Sequence, residues 1–119
     1  MNAHDMPILM YQTEDGQTRL DVHLDGDTVW LTIAQMAELF QKDRTGINRH
    51  INNILEEGEL LAEGNVQFLQ SDAGGRPLQL FSLDMVIAVG YRVKSLRGTQ
   101  FRVWANRALK EYLQKGFAM

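Results

Sequence analysis

The hydrophobic pattern of this 119-residue chain changes from the period of a strand to that of a helix at Thr32, and this change constrains the fold more than any other feature. Before Thr32, the residues Leu20, Val22 and Leu24 alternate with polar residues, which is the spacing of a strand with one buried face. After Thr32, apolar residues recur every three or four positions, as they do on the buried face of a helix. The sequence therefore predicts an α+β fold in which helices cover one side of an antiparallel sheet.

Three short strands are predicted ahead of Thr32. The turn dipeptides Asp15-Gly16 and Asp25-Gly26 separate apolar segments at 8–11, 20–24 and 28–31. Asp-Gly pairs between such segments are typical of tight hairpin turns, so these segments predict an antiparallel meander. The polar side chains of the middle strand that are expected to face water are Arg19, Asp21 and His23.

Two short helices joined by a tight turn are predicted next. Thr32 and Gln35 form a capping box for a helix that ends near Phe40. Asp43 is a good N-cap for a second helix, which is expected to end at the acidic stretch 56–63. A helix pair with so short a connection is typical of a helix-turn-helix element.

A β-hairpin and two longer helices complete the prediction. Gly74 and Gly75 suit the tip of the hairpin, with Arg76 beside them. Ser82 is expected to cap a helix over 83–96 with Gly98 as its stop, and Thr99 to cap a last helix over 100–115. Residues 1–119 are thus predicted to form a single α+β domain, with a small N-terminal antiparallel sheet, a helix-turn-helix-like pair, a hairpin and two longer C-terminal helices. Such a domain could also be the N-terminal part of a longer protein.

The composition excludes several classes of function. The absence of Cys removes disulfides, thiolate nucleophiles and thiolate metal sites. His4, His23 and His50 are scattered, and no nucleophile elbow or phosphate loop is present, so we expect no catalytic site, no metal, no cofactor and no small-molecule substrate. No apolar run is long enough to span a bilayer, and the start of the chain lacks the pattern of a secretory signal, which predicts a cytoplasmic protein without a membrane partner.

The net charge of −3 is an average over segments of opposite sign. Residues 1–28 carry six acids against Arg19, and residues 56–91 carry six acids against Arg76. By contrast, residues 42–55 have a net charge of +2, and residues 92–119 have seven bases against Glu111. Although the protein is weakly acidic overall, it has two basic regions, 42–55 and 92–119, which a nucleic acid or an acidic protein could bind.

The first basic region is predicted to read DNA. Arg pairs with guanine, Asn with adenine, and Thr or Lys with phosphate, so the outward face of the second helix suits a major groove. The predicted contacts on and beside that helix are Lys42, Arg44, Thr45, Asn48, Arg49 and Asn52. Further predicted contacts on the second basic region are Arg97, Arg102 and Lys110. That region could equally pair with the acidic segments of the chain.

Three runs of residues identify a family resemblance. Residues 29–40 and 50–60, and above all residues 88–113 with the motif Phe101-Arg102-Val103-Trp104, resemble the N-terminal domain of the RhuM family of virulence-associated bacterial proteins. The motif is also similar to one in phage antirepressor domains of the BRO and KilA-N type. The resemblance implies a DNA-binding regulatory protein, virulence-associated or phage-derived, and supplies no catalytic residues.

Two hypotheses for function remain open at this point. In the first, the domain binds duplex DNA through the second helix, as a homodimer, because one such element reads only a few base pairs. In the second, it is a protein-interaction or dimerisation module without DNA binding, since a surface with both signs of charge is complementary to itself.

Overall fold

The computed structural model of the protein describes residues 7–70 and 74–116, with side chains described up to residue 112 in the last helix. It is an α+β fold, as the sequence predicts. The strands and helices are β1 (Ile8–Gln12), β2 (Arg19–Asp25), β3 (Thr28–Leu31), α1 (Ile33–Phe40), α2 (Arg44–Glu56), β4 (Val66–Leu69), β5 (Leu78–Ser82), α3 (Leu83–Val93) and α4 (Leu96–Gly116). None of the described helices is both long enough and apolar enough to cross a membrane.

The five strands form one antiparallel sheet in the order β1-β2-β3-β5-β4. The predicted meander and the predicted hairpin are therefore not separate, because Leu31 of β3 lies opposite Phe81 of β5. The chain leaves the sheet after β3 to form α1 and α2 and returns in the edge strand β4. The next strand, β5, then lies between β4 and β3 and pairs with both. The sheet thus fixes where the helix pair and the hairpin lie relative to each other.

The helices cover one face of the sheet. Leu20, Val22 and Leu24 are buried there, as their alternation predicts, and they belong to the same core as residues of all four helices. A smaller cluster of Trp30, Leu69 and Leu80 lies on the opposite face, because neighbouring residues of a strand point to opposite sides. Trp30, only 7% exposed, is thus an anchor of this second face.

The turn between α1 and α2 follows from its capping residues. Thr32 and Gln35 form the expected capping box, with the Gln35 N–H donating to Thr32 Oγ1 at 3.1 Å and the Thr32 N–H donating to Gln35 Oε1 at 2.9 Å. Gln41 ends α1 in the left-handed conformation, with φ 56°, at a position that glycine often occupies. The Asp43 carboxylate then accepts the Gly46 N–H at 2.7 Å and starts α2.

The predicted boundary between the last two helices is wrong. α3 ends at Val93 with Lys94 in the left-handed conformation, and α4 already begins at Leu96, so Gly98 is no stop and Thr99 no cap. Gly98 instead serves packing. A Cβ atom there would lie 3.2 Å from the Phe40 ring, which fills the crossing of the two helices. Glycine is common at helix ends, so the sequence alone does not distinguish that role from the packing role that Gly98 has inside α4.

His23 is also placed differently from the prediction. Arg19 and Asp21 are exposed, but His23 is half-buried, and its Nδ1 atom is buried with no hydrogen-bond partner among the described residues. Its cross-strand neighbours are Ile8 and Trp30, whose side chains share that face of the sheet. Burial between them lowers the pKa of His23 below its ordinary value.

Candidate nucleic-acid interface

Helix α2 has one buried face and one exposed face. Ile47, Ile51 and Ile54 are at most 2% exposed and lie in the main core. Because a helix turns by about 100° per residue, side chains opposite this stripe point away from the protein. The exposed polar residues on that outer side are Arg44, Thr45, Asn48, Arg49 and Asn52. The structure therefore brings together the five α2 residues that the sequence singled out, on one accessible surface.

Positive charge is concentrated at the N-terminal end of α2. Lys42 is exposed in the turn, and Lys42 and Arg49 line one cleft of about 320 Å³ with His50 and Val93, the last residue of α3. Asp43 lines the same cleft, but its carboxylate is held by the backbone N–H of the first turn. The cleft joins the outer face of α2 to the end of α3.

The hairpin β4–β5 follows α2 after the nine-residue connection 57–65. Its glycines Gly74 and Gly75 have φ angles of 83° and 84°, the positive values that the predicted tip requires. Arg76 is exposed beside them. The remainder of the predicted tip, residues 71–73, lies outside the described residues. The hairpin thus offers a further exposed cation after the helix pair.

Arg97 is not part of the surface formed by α2. Its Nε atom donates to the backbone carbonyl of Leu39, and its Nη2 atom donates to Thr18 Oγ1 at 2.7 Å. The guanidinium group of α4 is therefore bound to the last turn of α1 and to the connection between β1 and β2. Although the sequence predicts a DNA contact at Arg97, the structure uses this cation to tie three parts of the fold together.

Arg102 and Lys110 lie on α4, apart from α2. Both are exposed, as is Asn106 between them, and the spacing of four residues places the three on one side of the helix. Trp104 is half-buried among aromatic side chains, with its ring centroid 4.9 Å from that of Tyr11. The α4 cations thus form a second basic surface, separate from the α2 face.

The alternative that the second basic region pairs with the acidic segment is correct for Arg92. Its guanidinium donates to Glu57 at 3.0 Å and to Glu59 at 2.8 Å. The hydrogen bond and the charge of Arg92 hold the pKa of Glu57 below its ordinary value. The acidic loop after α2 is therefore fastened to α3.

An apolar hollow between α3 and α4 was not predicted from the sequence. Tyr91 and Leu96 are 78% and 80% exposed at its edge, although both are large and apolar. The sequence signal for it is that two large apolar residues, Tyr91 and Leu96, each stand next to an arginine, Arg92 and Arg97. Within the described residues, no group of three or more His, Asp or Glu side chains is arranged to hold a metal ion.

Comparison with known proteins identifies the family. The model of the RhuM family of virulence proteins matches residues 41–119, about two thirds of the chain. This match begins at the turn before α2 and does not include the meander or α1, to which part of the sequence resemblance refers. No curated protein and no solved structure matches the chain at a significant level. The chain belongs to the RhuM family of virulence proteins.

Proposed function

We propose that this protein binds duplex DNA through α2 and acts as a regulatory protein, virulence-associated or phage-derived. The observation that carries the proposal is the division of α2 into two faces. Three isoleucines fix the helix to the core, while five polar side chains suited to base edges and phosphates are all exposed on the outer side.

The topology around α2 supports the same proposal. The chain runs through β3, α1, a three-residue turn, α2 and the hairpin β4–β5, and β5 pairs with both β3 and β4. This order corresponds to a helix-turn-helix element with a wing. In that arrangement α2 would enter a major groove of the DNA, and the exposed Arg76 on the hairpin would approach the sugar-phosphate backbone beside that groove.

The charge around the start of α2 supports the proposal, although the net charge of the whole chain is −3. Lys42, Arg44 and Arg49 surround the start of α2, and Asp43, the acid among them, is engaged as the N-cap. Lys42 and Arg44 can contact phosphates at this end of the helix, which leaves Arg49 for a base edge. The acidic strands and the acidic loop would then keep other faces of the protein away from DNA.

Binding to DNA fragments selected from random sequence tests the proposal. We expect Asn48→Ala and Arg49→Ala each to weaken binding to a selected duplex by about 1–3 kcal/mol, because each removes a base contact, and to affect non-specific binding less. The matched controls are Gln17→Ala and Arg19→Ala, which remove an amide and a guanidinium group at exposed positions away from both α2 and α4. Fluorescence anisotropy measures all four affinities.

Phosphate contacts have a different signature. Lys42→Ala should weaken binding to every duplex equally and lower the slope of log affinity against log salt by about one. The same measurement on Lys110→Ala shows whether the α4 surface also follows the DNA backbone. If the Asn48 and Arg49 variants bind every duplex as the parent does, α2 is not the reading helix and the proposal is wrong.

A further inference from the structure

A hollow of about 270 Å³ lies where α3 turns into α4. The buried glycines Gly90 and Gly98 line it at the point where the two helices approach closely. Tyr91 and Leu96 stand at its edge, mostly exposed. Such large apolar side chains around a concave site are typical of a surface that is covered by a partner.

The rim of the hollow is positively charged. Lys94 and Arg102 line it from the two helices, and in the part of the chain that the structure describes neither forms an ion pair. The left-handed conformation of Lys94, which ends α3, directs the chain around the rim. The expected occupant is therefore an apolar side chain with carboxylates beside it.

The same chain carries a segment of that description. Leu61 is 70% exposed in the acidic loop between α2 and β4, with Glu63 exposed two residues later. The loop is held in place, since Leu60 packs against the core and the Asn65 side chain donates to the Leu61 carbonyl at 2.9 Å. Because the backbone of the loop is already ordered, little backbone entropy is lost when Leu61 binds.

We propose that the hollow between α3 and α4 binds Leu61 of a second copy of this chain, with Glu63 of that copy facing Arg102, so that the protein forms a symmetric homodimer. A two-fold axis would allow each copy to donate its acidic loop and to accept its partner's. The surface is complementary to itself, as an isologous interface requires. Dimer formation does not depend on whether the protein binds DNA.

Helix α3 connects the two halves of the interface. Arg92 holds the acidic loop through Glu57 and Glu59, whereas the adjacent Tyr91 belongs to the hollow. Successive residues differ by about 100° around the helix, so the loop and the hollow flank the end of α3 on two sides. Both elements are therefore near one another, which a two-fold contact needs.

The proposed interface leaves α2 available. Val93 of α3 lines the cleft at the start of α2, while Tyr91 and Lys94 line the hollow beside α4. Outward-facing α2 residues of the same chain, such as Asn48 and Asn52, do not line the hollow. Filling the hollow therefore does not by itself cover these α2 residues.

Sedimentation velocity over a range of concentrations, without DNA, tests the dimer. We expect the parent chain to dimerise and Leu61→Ser to raise the dimer dissociation constant by roughly tenfold or more, because an apolar side chain is removed from each of two sites. Arg102→Glu and Glu63→Arg should each weaken the dimer as well. Arg19→Glu, an exposed reversal on β2, is the control and should leave the dissociation constant unchanged.

Mixing the two charge-reversal variants gives the sharpest result. In a heterodimer of Arg102→Glu with Glu63→Arg, one site pairs the reversed charges and the other keeps the native pair. We therefore expect an equal mixture to dimerise more tightly than either variant alone. Circular dichroism and thermal unfolding establish that each variant is folded. The proposal is wrong if the parent stays monomeric at high micromolar concentration, or if a mixture of folded variants dimerises no more tightly than each variant alone. Either result would also be obtained if the hollow bound a different protein instead of a second copy.

Discussion

Replacing Arg97 separates the role that the structure gives this residue from the DNA contact that the sequence predicts. Arg97 donates to the Leu39 carbonyl near the end of α1 and to Thr18 Oγ1. α1 has no basic residue in its own last turn, so α4 supplies the cation that the terminal carbonyls of that helix favour. We expect Arg97→Ala to lower the free energy of unfolding substantially.

The magnitude follows from the two lost hydrogen bonds. A hydrogen bond to a charged group contributes about 1.5–3 kcal/mol. Arg97 is half-buried, so water can replace part of each lost partner, and the expected loss is about 2–3 kcal/mol. For a domain of this size that corresponds to a decrease in Tm of about 6–15 °C. Arg97→Lys keeps the charge but has one compact ammonium group, which should reduce the loss without removing it.

Urea unfolding followed by circular dichroism measures the effect, with the midpoint lowered and the slope unchanged. The matched control is Arg107→Ala, which removes the same side chain from an exposed position of the same helix, outside the proposed dimer interface, and should change stability by less than about 0.5 kcal/mol. If Arg97→Ala is as stable as Arg107→Ala, the hydrogen bonds of Arg97 do not stabilise the fold and the reasoning is refuted.

Three further predictions concern stability. Asp43→Ala should lower the free energy of unfolding by about 1 kcal/mol through loss of the α2 N-cap, and thermal unfolding of the parent at the same pH is the comparison. Trp104→Ala should cost about 2–4 kcal/mol, since the half-buried ring packs on Tyr11 and Phe101, and an unchanged Tm would contradict this packing role. Burial lowers the pKa of His23, so the unfolded chain binds the proton more readily than the folded protein does, and stability should fall as the pH drops below about 6.5. The His23→Gln variant should therefore lose less stability than the parent between pH 7 and pH 5. Equal losses would rule out this contribution.

The sequence by itself determined the features that depend on neighbouring residues. The alternation in β2 identified the buried side of that strand, and the capping residues Thr32 and Asp43 placed the starts of α1 and α2. The spacing of Ile47, Ile51 and Ile54 then fixed which side of α2 is exposed. These signals act within about one turn of helix or two residues of strand, so they can be read without knowing the rest of the fold.

Only the tertiary structure decided features that depend on residues far apart in the chain. The pairing of β3 with β5 joins the meander to the hairpin, and nothing in either segment specifies the other. Gly98 lies within a helix because the Phe40 ring occupies the space beside it. The partners of Arg97 are 58 and 79 positions away, and an exposed arginine and an anchoring one have the same local sequence pattern. The function of such a residue is set by what packs around it, and that is determined when the helices and strands come together.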